Sequence, residues 1–290
     1  MTTAFVEQAR AKINLTLRVN GRRADGYHDL ESLVVFADLA DTLAFEAADV
    51  TTLDVTGPYA AASGATADNL VLKAYRALAA NIAGLKGGRF ILDKQLPVAA
   101  GIGGGSADAA AALRHLARGN GIAFDDARLM LAALRTGADV PVCLASRACI
   151  MTGVGERLSP PLRLPALHAV LVNPGAALAT RDVFAMYKGG NQAPALAAHA
   201  VPHEFAALID YLDAHGNDLT EAAIIRAPVV ADVLAALRAL PGVRLARMSG
   251  SGSTCFALFA AAEEAKTAAA HLAAAHPPWW VAPAVLGGRS

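Results

Sequence analysis

The sequence predicts an α+β protein of two domains, and three observations carry that expectation. Strand-like and helix-like segments alternate along 290 residues, a length that suits about two domains. The strands are joined mostly in hairpin style, whereas an all-parallel sheet needs long crossovers. Last, "SPPLRLP" (159–165) gathers three prolines and marks the break, giving domains of 1–158 and 159–290.

In order along the chain, "KINLTLRV" (12–19) alternates strictly. Ile13, Leu15, Leu17 and Val19 face one way, and Lys12, Asn14, Thr16 and Arg18 the other, as in a half-buried strand. A turn-rich "NGRRADGYHD" precedes "LESLVVFADLADTLAFEA" (30–47), one or two further strands. "DNLVLKAYRALAANIAG" (68–84) is a predicted helix with Asp68 or Asn69 near its N-cap and Gly84 at its end. "GRFILDKQLPV" (88–98) is a strand running into a glycine loop, and a helix over 106–118 follows. "DDARLMLAALR" (125–135) is a helix capped by Asp125 or Asp126. "GADVPVCLASRACIMTGVGE" (137–156) is a turn, then strands or a short helix. Beyond the prolines come a strand, "ALHAVLVNPG" (166–175), and helices over 203–215 and 228–240. "GVRLARMSGSGSTCFALFA" (242–260) is strand, second glycine loop and strand, and "EEAKTAAAHLAAAH" (263–276) closes the series as a helix. The final tryptophans, Trp279 and Trp280, are expected to pack against the second domain.

Composition excludes several classes. Hydrophobic residues make up 55% and charged residues 17%, which is a folded chain rather than a disordered one. Net charge is zero, so no basic field draws it to nucleic acid or an anionic membrane. No apolar run reaches the ~18–20 residues of a membrane span, and the start lacks the apolar core of a signal peptide. Cys143, Cys149 and Cys255 form no CxxC pair, which predicts buried free thiols in a reducing cytoplasm. His199 and His203 sit i, i+4, but Pro202 interrupts them and no third ligand follows, so no zinc site is expected.

The chemistry concentrates in "LPVAAGIGGGSADAAAAL" (96–113), with four glycines in five positions. A dinucleotide fingerprint fails, because Ser106 stands where its last glycine belongs and no strand-end acid follows about 20 residues on. A P-loop fails as well, since no Gly-Lys-Ser/Thr is present. The local physics survives both failures. Consecutive glycines let backbone amides turn toward an anion, and the free N–H groups of residues 106–109 add the positive end of a helix dipole. Ser106 either contacts phosphate or is an ordinary N-cap.

That loop, "PVAAGIGGGSADAAA", resembles the signature of the GHMP kinases, which bind ATP without a P-loop. Two more family motifs follow the same order: the N-terminal strand with Lys12, and "MSGSGSTCFALF" (248–259). The blocks "AKINLTLRVNGRRADGYHDLESL", "DNLVLKA", "TGADVPVCL", "NPG…TRDVF" and "GNDLTEAA" resemble, within the family, the members that act on a cytidine-diphosphate-linked methylerythritol. The resemblance runs from about residue 9 to 260. It departs at Ala107, where many members carry a second serine.

The resemblance implies a ribosomal protein S5 domain 2-like N-terminal domain and a ferredoxin-like C-terminal domain. It implies transfer of a phosphoryl group from ATP, with Mg²⁺, to the 2-hydroxyl of the cytidyl substrate, in the cytoplasm and in the non-mevalonate route to isoprenoids. Asp139 corresponds to the family's catalytic aspartate, and Lys12 would lie beside it and lower the pKa of the reacting hydroxyl. Asn69 and Lys94 match adenine-side contacts, though Asn69 serves equally as a helix cap and Lys94 as a solvated edge lysine. Pro97, Gly101, Gly103, Gly104, Gly105, Ser106 and Asp108 belong to the nucleotide loop; Asp108, in the first turn of its helix, also suits the dipole. On the substrate side, Asn14 would hydrogen-bond the alcohol. Tyr27 and Phe184 match a pair that stacks on cytosine, one from each domain, and His28 matches the residue reading the base edge. The metal ligands are not indicated, nor is the oligomeric state.

Overall fold

The computed structural model describes residues 5–189 and 195–287. Strand β1 (Phe5–Asn14) and β2 (Arg18–Arg22) replace the single strand expected over 12–19. The alternation there does not mark a wet face, because Lys12, Asn14 and Thr16 are as buried as Ile13 and Leu15. Past β1 the Leu15 amide still donates to the Leu33 carbonyl, whereas the Leu17 amide turns to that of Gly216. The apolar run that follows is one strand, β3 (His28–Ala47), and a short β4 (Thr52–Thr56) comes after it. Helix α1 (Leu70–Ala79) begins at an Asn69 cap whose Oδ1 accepts the Val71 amide at 2.9 Å. It ends at Ala80, short of Gly84.

Strand β5 (Gly88–Asp93) leads through the glycines to α2 (Gly104–Gly119), which starts two residues earlier than expected. Its N-cap is Gly103, left-handed at φ 64°, a conformation that glycine takes without a Cβ penalty. Helix α3 (Ala127–Thr136) is capped by Asp126, and α4 (Val140–Ala145) follows Asp139. Strands β6 (Cys149–Gly153) and β7 (Arg157–Leu158) precede the proline-rich stretch. Then come β8 (Leu167–Asn173), α5 (Thr180–Met186), α6 (Phe205–Asp213), α7 (Thr220–Arg226) and α8 (Val229–Arg238). The chain closes with β9 (Leu245–Met248), β10 (Cys255–Phe259), α9 (Ala262–Ala275) and β11 (Trp280–Leu286). Elements α5, α7, β4 and β7 are too short for periodicity to reveal, and β11 hides in a proline- and tryptophan-rich tail.

Two compact units emerge, each gathered from separate stretches of chain. The first comprises Met1–Ala11, Leu39–Val98 and Gly103–Ser146. In it the end of β3 pairs antiparallel with β5, Thr42 opposite Asp93 and Ala47 opposite Gly88, and β4 pairs parallel to β5. Helix α2 is buried almost all round: Ala107, Ala109, Ala110, Ala111, Ala112, Leu113, Leu116 and Ala117 are at most 2% exposed. Alanine on every side lets α1, α3 and α4 approach closely, which suits a central rather than an amphipathic surface helix.

The second unit comprises Lys12–Asp38, Ala99–Ile102 and Arg147–Ser290. Here β2 and β6 flank the start of β3, both antiparallel, and β11, β8, β10 and β9 lie side by side, each antiparallel to its neighbour. Val170, Val172, Ala257 and Phe259 of this sheet meet Leu234, Leu237 and Leu272 from α8 and α9. Trp279 packs against the same core and stacks on His276 with ring centroids 3.8 Å apart, and Trp280 heads β11 opposite Asn173, so the tail joins this unit as expected. Antiparallel pairing dominates, as the hairpin reading requires. The three cysteines are buried free thiols, and burial pushes Cys149 up to about 11 and Cys255 to about 12. No helix among the described residues is long and apolar enough to cross a membrane.

Candidate functional site

In the first unit the site is built at the start of α2. Helix N-termini leave amides without intrahelical partners. Here the first intrahelical bond runs from the Ala107 amide to the Gly103 carbonyl, 2.8 Å, so the unclaimed donors are Gly104, Gly105 and Ser106, earlier than the 106–109 expected. Ser106 is not the cap, since Gly103 fills that position. Its half-exposed hydroxyl bonds no protein group among the described residues, which leaves it available to an oxygen ligand. Ala107, where many GHMP kinases carry serine, is buried at 2% exposure and faces α2's packing.

Beside this helix start lies a buried ion cluster that the sequence conceals. Lys94 is 4% exposed and is no solvated edge lysine. Its ammonium bridges Asp41 Oδ2 and Asp108 Oδ2, the latter at 2.7 Å. Asp108 therefore sits in the second turn of α2 as an ion-pair partner, and the first turn holds no acid. Burial pushes the Asp108 carboxyl up to about 7 against the opposing charge of Lys94. Burial also works to lower Lys94, but Asp108 and Asp41 outweigh it and hold the ammonium above its ordinary value. Asp41 further accepts the Gln95 and Leu96 amides at 2.6 and 2.7 Å. No local pattern sets it apart, since β3 also carries Asp29, Glu31, Asp38 and Glu46.

Asp139 precedes α4 in the cap position yet makes no capping hydrogen bond with its side chain. The residue thus lies in the turn that leads into α4. Pro141 in the first turn fixes the backbone there.

In the second unit the two glycine loops meet. The Thr254 amide donates to the Ala100 carbonyl at 3.0 Å, and Ser249 Oγ to that of Gly101 at 3.3 Å. Gly101 has φ +74°, and a Cβ there would lie 2.5 Å from the Gly252 carbonyl oxygen and 2.8 Å from that of Ser249. Only glycine fits. Asn217 holds the second loop from behind, its Nδ2 donating to the Met248 and Gly250 carbonyls, both at 2.8 Å. Asn173 reaches Thr254 Oγ1 at 2.9 Å. Neither asparagine was singled out from sequence, although both lie in turn-like "NPG" and "GND" stretches.

Lys12 and Asn14 flank this junction. The Lys12 amide donates to the Ile102 carbonyl at 2.8 Å, and the Asn14 amide to Ser249 Oγ at 3.1 Å. Asn14 Nδ2 is taken by Ser32 at 2.7 Å, while its buried Oδ1 has no hydrogen-bond partner among the described residues. A buried acceptor left open is costly unless a ligand fills it. His28 and Phe184 stack, with centroids 4.8 Å apart and planes at 23°. Phe184 also leans on the second unit's core, whereas Tyr27 is 61% exposed and stacks on neither. Burial lowers the His28 pKa, with Arg22 adding to the effect.

The description "GHMP kinases N terminal domain" matches residues 69–147 and "GHMP kinases C terminal" residues 193–277. A 4-diphosphocytidyl-2-C-methyl-D-erythritol kinase of Bradyrhizobium sp. (strain ORS 278) is 58% identical, covering 97% of this chain and 96% of the relative. The chain belongs to the GHMP kinase family. A solved 4-(cytidine 5'-diphospho)-2C-methyl-D-erythritol kinase superposes with TM-score 0.80 at 36% identity, covering 98% of this chain and all of that one. Homoserine kinase from Cytophaga hutchinsonii shares the fold at TM-score 0.73 and 17% identity, covering 99% and 96%. GHMP kinases are small-molecule phosphotransferases that use ATP as donor, and the two-domain fold of the family is the fold of this chain.

Proposed function

We propose that this GHMP kinase transfers the γ-phosphoryl group of ATP to the 2-hydroxyl of 4-diphosphocytidyl-2-C-methyl-D-erythritol, a step of non-mevalonate isoprenoid synthesis. The observation that carries this reading is near full-length identity of 58% to a relative bearing that kinase's name. Along the sequence the domains are 1–158 and 159–290, with one family-model match on either side of the boundary, although Lys12–Asp38, Ala99–Ile102 and the stretch from Arg147 cluster with the second.

Phosphoryl transfer passes through a largely dissociative transition state, so the protein's work is positioning and charge stabilisation. The Gly104, Gly105 and Ser106 amides hold the phosphates at the positive end of α2. Asp139, at the start of α4, takes the hydroxyl proton as general base. Lys12 favours the developing alkoxide by its positive charge. Asn14 Oδ1 accepts a hydroxyl of the alcohol. Phe184 and Tyr27 offer aromatic surface to the cytosine, and His28 reads its edge. Asn69 keeps its Nδ2 for the adenine side, its Oδ1 being used on α1. Lys94 serves through position, because its ammonium, N–H and carbonyl are all engaged within the protein.

Mg²⁺ fits as a companion of the nucleotide. In such sites it keeps waters and phosphate oxygens and takes only one or two protein ligands. The Ser106 hydroxyl beside the phosphate-facing amides is the group that would hold it. When bound, it neutralises charge on the phosphates. No nucleic-acid or membrane partner enters this reading, and the setting is the cytoplasm.

An ATP-consumption assay across the cytidyl substrate, mevalonate, homoserine and galactose tests the assignment. Turnover confined to the cytidyl substrate is expected. Preferred turnover of any other alcohol would reassign the enzyme within the family.

A further inference from the structure

We propose that Asp41 is a positioning residue for nucleotide binding, fixing the glycine loop through Lys94, Asp108 and two backbone amides. This rests on the reading above, that phosphates sit on the α2 amino terminus. Asp41 touches no reacting group in that scheme, and it is no part of the motifs by which the family was recognised.

A loop rich in glycine loses more conformational freedom on ordering than any other, so a phosphate cradle made of it binds weakly unless its ends are already fixed. Asp41, wholly buried on β3, fixes the entering end. Its Oδ1 accepts the amides of Gln95 and Leu96, the last residues before Pro97. Its Oδ2 holds the Lys94 ammonium, which passes on to Asp108 in α2 at 2.7 Å and so fixes the leaving end. One carboxylate thus reaches both sides of the chain from Leu96 to Gly103.

Surrounding geometry keeps the bridge in place. The Lys94 amide donates to the Thr56 carbonyl at 2.8 Å and its carbonyl accepts the Tyr59 amide at 3.2 Å. A Cβ on Gly57 would fall 2.7 Å from both of those Lys94 backbone atoms. A Cβ on Gly104 would approach Lys94 Nζ to 3.3 Å and Asp41 Oδ2 to 3.8 Å. The first helical glycine therefore does two things: it bares an amide, and it leaves room for the ion bridge beneath it.

A merely structural ion cluster predicts something different. Losing a partner in a buried ion pair is costly to stability wherever the pair lies, but it would not single out one substrate. A positioning residue makes nucleotide affinity fall while the alcohol's KM holds.

The test compares wild type, Asp41→Ala and Asp41→Asn, measuring ADP binding by calorimetry and KM for both substrates. The alanine variant removes both ties, and ADP affinity and the KM for ATP are expected to worsen at least tenfold, with the alcohol's KM within twofold. Asparagine keeps an oxygen for the two amides but no charge for Lys94, and should weaken ADP three- to tenfold. Wild-type ADP affinity in a folded alanine variant would overturn the proposal. Should that variant not fold, the asparagine variant decides: wild-type affinity there overturns it equally. A wild-type protein that fails to bind ADP would instead count against the phosphotransferase reading.

Discussion

Asp139 and Asp108, thirty-one positions apart, sit in opposite surroundings. Asp139 stands half-buried at the start of α4, where the proposed function makes it the proton acceptor. Asp139→Asn should keep both KM values within a few-fold and lose about 10²–10⁴ in kcat, the usual worth of a general base. Steady-state kinetics at neutral pH checks it, and near-normal turnover would remove Asp139 from the role. Asp108 is buried, and its pKa of about 7 lies above the ordinary 3.8. The folded state thus binds a proton more tightly than the unfolded one. Its favourable contribution is complete below about pH 4 and is lost as pH rises through about 7. Asp108→Asn should flatten that decline in thermal midpoint between about pH 4 and 7, as scanning calorimetry across that range would show. An unchanged slope would mean that the carboxyl titrates as it does in the unfolded chain.

At the level of elements, the two glycine loops were legible because their glycines are clustered and each is flanked by recognisable strand or helix. Their meeting was not legible, since nothing in "GIGGGS" or "SGSGST" says that Ala100 and Gly101 bond the Ser249–Thr254 stretch. Gly101→Ala brings a Cβ against two carbonyl oxygens at a left-handed position, and should cost about 2–5 kcal/mol of stability. A chemical-denaturation midpoint measures it, and a shift near zero would mean that the loops separate freely. Asn217→Ala leaves the Met248 and Gly250 carbonyls without their donor. Each buried carbonyl left without its donor costs about 1–3 kcal/mol. The sequence also misjudged polarity on β1. Alternation locates a strand, but it says nothing about whether the polar side is covered, and here Ser32 accepts from the Asn14 side chain on that side. Lys94 was misplaced for the same reason: its partner Asp41 lies 53 positions away, beyond any local pattern.

Taken whole, the molecule carries no net charge, so no global field draws in an anionic substrate and its recognition is left to local groups. Methylerythritol is a small polyol that many alcohols imitate. Selectivity should therefore come from the remote base, whose binding energy positions the reacting hydroxyl. Phe184→Ala removes both a stacking surface and the support of His28. At roughly 1–3 kcal/mol per stacked base, it should weaken the cytidyl substrate about 5- to 150-fold while leaving the KM for ATP nearly unchanged. The most direct measurement is phosphorus NMR of the product formed from ATP with the cytidyl substrate, beside a reaction given methylerythritol phosphate lacking cytidine. A new phosphate monoester at the 2-position of the first, with at most trace transfer to the second, is the result predicted. Equal phosphorylation of both, or transfer to another hydroxyl, would contradict the account.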